Sequence, residues 1–454
     1  MDLLTLLKQP EGKTLEFKRD LSSPDGVLRT IVAFANTAGG IVLLGVEDET
    51  RRMVGIADPL STEERLANLV SDSICPPVIP DIETLPWRRT HILAVRVYPS
   101  STTPHYLRRP GPEAGVFIRV GSTNRRADPV LIEGLRRHAR SESFDEQPVP
   151  GLSSEAIDFR AASELFVPVR ALTKTDLITL RLVTRYQARV VPTVGGILLF
   201  GKEREHHFPD AWIQAGRFVG TDRRRIIDTA EIHTHLVPAV EEAIRFVQRN
   251  TAREAVIRGV RRMDRWTYPL EAVREAVVNA VVHADYAQHG APIRLSVFDD
   301  RIEVENPGLL PFGLTIDEVK RGISKLRNRV IGRVFHELGL IEQWGSGIQR
   351  MTAACEQAGL PAPLLEEIGI HFRLTLSSSR IRRPKLEKVD AAILQMLSAG
   401  EGLSTHEIAR RIDRSERATR SRLASLVKLG LVVEVGAGPH DPRRRYFLSE
   451  TGGG

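Results

Sequence analysis

The sequence predicts a multidomain α/β (α+β) protein, and three observations carry that reading. Its 454 residues suffice for two to four domains of ordinary size. Strand-like apolar runs alternate with helical periods through the first 376 residues. Beyond them the spacing becomes helical and the charge basic.

The elements follow in order. Residues 14–18 alternate as a strand, 27–36 have helical spacing, Gly39 and Gly40 turn the chain, and 41–46 form an apolar strand. Strands near 92–97 and 116–120 and a helix over 131–140 complete a first domain, 1–140. The stretch SESFDEQPVPG, rich in Ser, Pro and acids, reads as a linker. A second domain, 154–376, has helical periods at 175–189, 238–248 and 270–283 and strand-like runs at 194–200, 293–297 and 302–304. The polar stretch 377–385 is a second linker, and 386–450 form the last module.

Composition excludes several classes. With 42% hydrophobic and 27% charged residues, the chain is neither fibrous nor disordered. No apolar run approaches the roughly 20 residues of a membrane helix, and the N-terminus lacks a basic signal-peptide region, so a cytoplasmic protein with no membrane partner is expected. Two distant cysteines, Cys75 and Cys355, write neither a disulfide framework nor a zinc site. The net charge of +7 divides as +2 for 1–140, 0 for 141–380 and +5 for 381–454, which places a compact basic block at the C-terminal end.

In the first domain, EGKTLEFK puts Glu11 before a strand and Glu16 within it, on the face of Thr14 and Lys18, while Leu15 and Phe17 face the core. The apolar run through Val46 then delivers Glu47 and Asp48 at its end. Three converging carboxylates holding Mg²⁺ or Mn²⁺ would equip phosphodiester hydrolysis, because the metal polarises phosphate and activates water. Acids on strand edges are also ordinary surface groups. Together with AFANTAGG, GVED, PHY (Pro104 to Tyr106) and RVGSTN, these residues resemble the Schlafen AlbA-like domain over about the first 135 positions. The resemblance implies RNA or DNA binding and a candidate catalytic and metal site at Glu11, Glu16 and Asp48. Candidate backbone-holding cations are Lys18, Arg19, Arg119, Arg125 and Arg126.

In the middle, Glu275, Asn279 and His283 recur at i, i+4 and i+8 and therefore share one helix face. An Asn carbonyl there can ligate Mg²⁺, and a Glu one turn earlier can orient or deprotonate water. A buried Asn and His satisfying a core produce the same pattern. Two later segments, ENPGLLPFGL and EQWGSGIQRM, add Asn306, Gly308, Gly345, Ser346 and Gly347, whose glycines allow close backbone approach and whose helix start attracts phosphate. The trio resembles the Bergerat ATP-binding α/β sandwich of histidine kinases and gyrases, over about 255–376, in the divergent RecG-related form that accompanies bacterial Schlafen-like domains. The resemblance implies ATP as cofactor and at most a weak ATPase. Where that fold has an Asp to read adenine, this chain has Asn306.

At the C-terminal end, residues 389–397 are helical, Ser404 and Glu407 form a capping box that opens a second helix, and SERATRSRLASLVKLG reads as a third helix that stops at Gly430. LVVEV and RRRYFL form a hairpin. Three helices and a basic hairpin make a winged helix, similar to bacterial regulators, with Arg417 and Arg420 toward the major groove and Arg443, Arg444 and Arg445 toward phosphates. The expected function is ATP-modulated DNA binding by a transcriptional regulator, as a homodimer or higher homo-oligomer. The alternative is a metal-dependent Schlafen-like RNA, tRNA or DNA endonuclease, acting in defence.

Overall fold

A computed structural model describes residues 3–48, 50–251, 253–258, 261–342, 345–378, 388–398, 402–435 and 444–449, with side chains excepted at 253–258, 261–265 and 388. The chain divides into two compact units, one of residues 1–100, 105–126 and 382–454, the other of 101–104 and 127–381.

In the first unit, strand Leu15–Lys18 runs parallel to Gly40–Leu44 through the crossover helix Pro24–Asn36, and Thr90–Val97 and Asp81–Trp87 extend the sheet antiparallel. The helix starts with Pro at its first position, where the missing N–H costs nothing, and buries every residue from Ile31 to Asn36. Leu15, Phe17 and Leu43 join one core, while Val42 and Leu44 join another on the opposite face. Glu16 pairs in register with Val42 and so points toward the helix-covered face, a position that demands a cationic partner.

The same unit contains helices Lys388–Leu397, Thr405–Arg411 and Glu416–Lys428 and the hairpin Val432–Val435 with Arg445–Leu448. Ser404 and Glu407 cap the second helix reciprocally. The third ends where Gly430 adopts φ +70° and its N–H reaches the Val427 carbonyl. Leu423 and Leu426 enter the small core with Ile393, Ile408 and Tyr446.

The second unit centres on a six-stranded sheet in the order Ile226–Ile232, Ile213–Phe218, Ile293–Val297, Arg301–Pro307, His371–Ser377, Leu364–Ile368. Only the second and third strands of that order are parallel neighbours. Helix Leu270–His283 packs against both Leu236–Asn250 and Gly347–Gln357, and it and Leu236–Asn250 lie on the sheet.

Three expectations need correction. The run 194–200 is a helix, Val194–Phe200, capped by the Thr193 hydroxyl accepting from the Gly196 N–H and buried at all seven positions. Periodicity does not separate a wholly buried helix from a buried strand. Residues 175–189 are not one helix; a short helix, Lys174–Thr179, gives way to strands Val183–Tyr186 and Arg189–Pro192. The stretch SESFDEQPVPG is also packed: buried Asp145 accepts from the N–H groups of Arg329, Val330 and Ile331 at 2.7–2.9 Å and caps helix Arg329–Glu337.

Candidate functional site

The first unit gathers its three carboxylates without presenting them equally. Glu11 accepts from the Phe17 N–H at 2.6 Å and lies close enough to Asp48 for the two carboxylates to act on each other. Burial raises the Glu11 carboxyl to about 7, and the neighbouring Asp48 and Glu16 charges push the same way. Glu16, 6% exposed, has both oxygens engaged: Oε1 takes Lys18 Nζ at 2.5 Å and Oε2 takes the Arg119 guanidinium. A divalent cation shared by Glu11, Glu16 and Asp48 does not fit this arrangement, because Glu16 is already neutralised by two cations. Among the described residues no group of three His, Cys, Asp or Glu side chains is set to hold a metal.

Arg119 and Lys18 are corrected with it. Arg119 is 1% exposed, donates to the carbonyls of Gly12 and Leu15 and to Asn124 Oδ1, and lies 5.4 Å over the Phe34 ring. Asn124 in turn donates to the Thr30 hydroxyl. Asn36, in AFANTAGG, clamps His105, donating to its carbonyl and accepting from its N–H. Much of the motif set is therefore the internal lattice of the domain. Lys18 is held at Glu16 and the Phe17 carbonyl, whereas Arg125 and Arg126, on strand Thr123–Arg126, are exposed.

In the second unit the residues of three segments converge. Glu275, Asn279 and His283 from helix Leu270–His283, Asn306 from strand Arg301–Pro307, and Gly345 and Gly347 line one cavity of about 120 Å³. Its other walls are apolar, among them Val304, Leu309, Ile323 and Leu374. Gly308 and Ser346 do not line it: Gly308, at φ +101°, backs onto Asp285 and Arg327, and the Ser346 hydroxyl donates to Glu342 at 3.1 Å.

Glu275 is the hub of this cavity. Its Oε1 accepts from Asn279 Nδ2 at 3.3 Å, and its Oε2 from Arg350 at 3.2 Å; Arg350 also binds Glu342 at 2.5 Å. A Cβ on Gly347 would lie 2.0 Å from Glu275 Oε1, so any larger residue there obliges this carboxylate to shift. Here a resident carboxylate occupies the anion-favouring helix start. Asn279 Oδ1 has no protein partner among the described residues. The Asn306 amide donates to the Pro307 carbonyl at 3.0 Å. Burial and the Arg327 charge drive the His283 imidazole down to about 4, so it is neutral at pH 7. Apolar walls, an available amide oxygen and an arginine fit a nucleotide with its magnesium in kind.

On the winged helix, Arg417 is exposed and unpaired among the described residues, while Arg420 pairs with Glu416 at 3.2 Å. The wing differs from expectation. Arg444 binds Glu434 at 3.1 Å and Arg445 donates to the Gly402 carbonyl at 2.5 Å, so both are tied into the fold; Arg443 lies outside the described residues.

Comparison with known families gives three matches along the chain. Residues 11–128 match the model Schlafen, AlbA_2. The chain carries a Schlafen AlbA_2 domain. Residues 290–376 match the ATP-dependent DNA helicase recG C-terminal model, and 386–433 the winged helix-turn-helix DNA-binding model. A DNA-binding winged helix and an ATPase-like domain thus share one chain with the AlbA_2 domain. The DIP2311 protein of Corynebacterium diphtheriae is a similar solved structure, at 20% identity over 96% of this chain and 92% of that one, with a TM-score of 0.45. The N-terminal domain of an ATP-dependent DNA helicase RecG-related protein from Nitrosomonas europaea is 27% identical over 27% of this chain and 91% of its own, with a TM-score of 0.23. No curated protein matches the chain. Among the described residues no helix is long and apolar enough to cross a membrane.

Proposed function

We propose that the chain is a cytoplasmic, homodimeric transcriptional regulator whose hold on DNA responds to ATP. The observation that carries this reading is the convergence of Glu275, Asn279, His283 and Asn306 on one cavity, in a chain that also presents Arg417 unpaired on helix Glu416–Lys428. Asn279 would hold the nucleotide's magnesium through Oδ1, Arg350 would meet phosphate oxygens, and Val304 and Leu374 would cover the base. Binding then requires Arg350 to exchange part of its hold on Glu275, which gives the bound and free states different local structures. ATP supplies the differential binding free energy. Glu275, released, orients water or stays a structural carboxylate according to how far Arg350 moves. The pairing of Glu16 with Lys18 and Arg119 favours this reading over the endonuclease.

The test is fluorescence anisotropy of labelled duplex DNA at low salt, with and without ATP and Mg²⁺. A shift in Kd of about fivefold or more is expected, as typical coupling energies give, and it should vanish in Asn279→Ala. No binding of any duplex at low salt sinks the proposal, since phosphate contacts dominate affinity there.

A further inference from the structure

The second unit holds a larger cavity, about 290 Å³, behind the segment that walls the first. Helix Pro129–Ala139 forms one side and the residues around Phe312 and Lys325 the other. Arg137 opens into it. This arginine is only 8% exposed, yet no hydrogen bond or ion pair reaches its guanidinium among the described residues; it lies 5.3 Å over the Phe144 ring and nothing more. Its stem is buried while the guanidinium faces the cavity with no protein acceptor among the described residues, a charge that a bound anion would pair.

The neighbouring charges do not supply one. Lys325 Nζ donates to the Phe312 carbonyl at 2.9 Å and meets no carboxylate among the described residues. Of the two acids lining the cavity, Glu142 pairs with Arg140 at 3.3 Å and Asp285 with Arg327 at 3.5 Å, while Arg329 is held by Glu146 and the Ser141 carbonyl. Arg327 Nε is buried without a partner. Burial and the Lys325 charge keep His138 neutral at pH 7, its ring 5.6 Å from that of Phe312. Leu131, Leu310 and Leu326 make the remaining walls apolar.

We propose that this cavity binds a small organic anion, its phosphate or carboxylate held by Arg137 and Lys325 and its apolar body placed against Leu131 and Phe312. Arginine offers a planar fork to either group. The proposal does not depend on ATP occupying the other cavity.

The test is calorimetric titration and thermal shift of the full chain with phenyl phosphate, benzoate and inorganic phosphate at low salt. Phenyl phosphate or benzoate is expected to bind at least tenfold more tightly than inorganic phosphate, and whichever binds better identifies the head group. Arg137→Met and Lys325→Met should each weaken binding at least tenfold with unchanged circular dichroism, and Arg137→Lys should restore part of it should the Met variant misfold. Asn279→Ala should leave binding intact. Absence of binding by both organic anions, binding unchanged in folded Arg137→Met, or loss of binding in Asn279→Ala would overturn the proposal.

Discussion

Arg119 grips Glu16 from 103 positions away, and the pair sits almost wholly out of water. Removing Arg119 leaves the buried Glu16 carboxylate to the half-exposed Lys18 alone, with its other oxygen unpaired. Arg119→Met should therefore cost about 3–5 kcal/mol of stability, read as a lower midpoint in urea denaturation. Nucleic-acid affinity per folded molecule should not change, which separates a pin from a phosphate contact.

Glu11 gives the first unit a pH signature. Its carboxyl titrates near 7 in the folded chain against 4.5 as the ordinary value, so between those limits the folded state holds the extra proton. Stability from this group accordingly falls as pH rises from about 4.5 to about 7. Partial solvent exposure screens the effect to on the order of 1 kcal/mol. Glu11→Gln should flatten the stability profile across that window and gain on the wild type above pH 7, measured by urea denaturation at a series of pH values.

Gly347→Ala tests the nucleotide cavity through its backbone. The new methyl would meet Glu275 Oε1, so the carboxylate and its Arg350 partner must move. Binding of a fluorescent ATP analogue should weaken at least tenfold, while Gln357→Ala, exposed at the far end of the same helix and outside the cavity, should leave it unchanged.

Two arginines of the winged helix should behave oppositely. Arg417→Ala should cost DNA affinity of about 1–3 kcal/mol and reduce the salt slope by about 1. Arg445→Ala, which loses its bond to the Gly402 carbonyl, should instead lower the thermal midpoint of the module.

Asp145→Ala removes three backbone acceptances at the start of helix Arg329–Glu337. About 2–3 kcal/mol should be lost, with Asp145→Asn recovering part, as read by thermal and urea unfolding.

What the sequence made legible was local. The capping box of Ser404 and Glu407, the stop at Gly430 and the shared face of Glu275, Asn279 and His283 all arise within a few residues, where helix geometry dictates the outcome. What escaped it was set by distant partners. Nothing near Glu16 announces Arg119, nothing near Arg445 announces Gly402, and Asp145 reads as linker until residues 329–331 fold onto it. Helix Val194–Phe200 escaped for another reason: uniform burial erases periodicity, and only Thr193 ahead of two glycines signals a helix start. Arg137 carried no motif at all, since its interest lies in a partner it lacks.

Leu309, Leu310, Pro311, Lys325 and Leu326 face both cavities of the second unit. A guest on one side that displaced this strip would alter the site on the other. Whatever one occupant gains or loses by displacing it, the other gains or loses in equal measure, because the linkage between two binding equilibria is reciprocal. Two metabolites of unrelated chemistry would thereby report on each other through a single strip of chain.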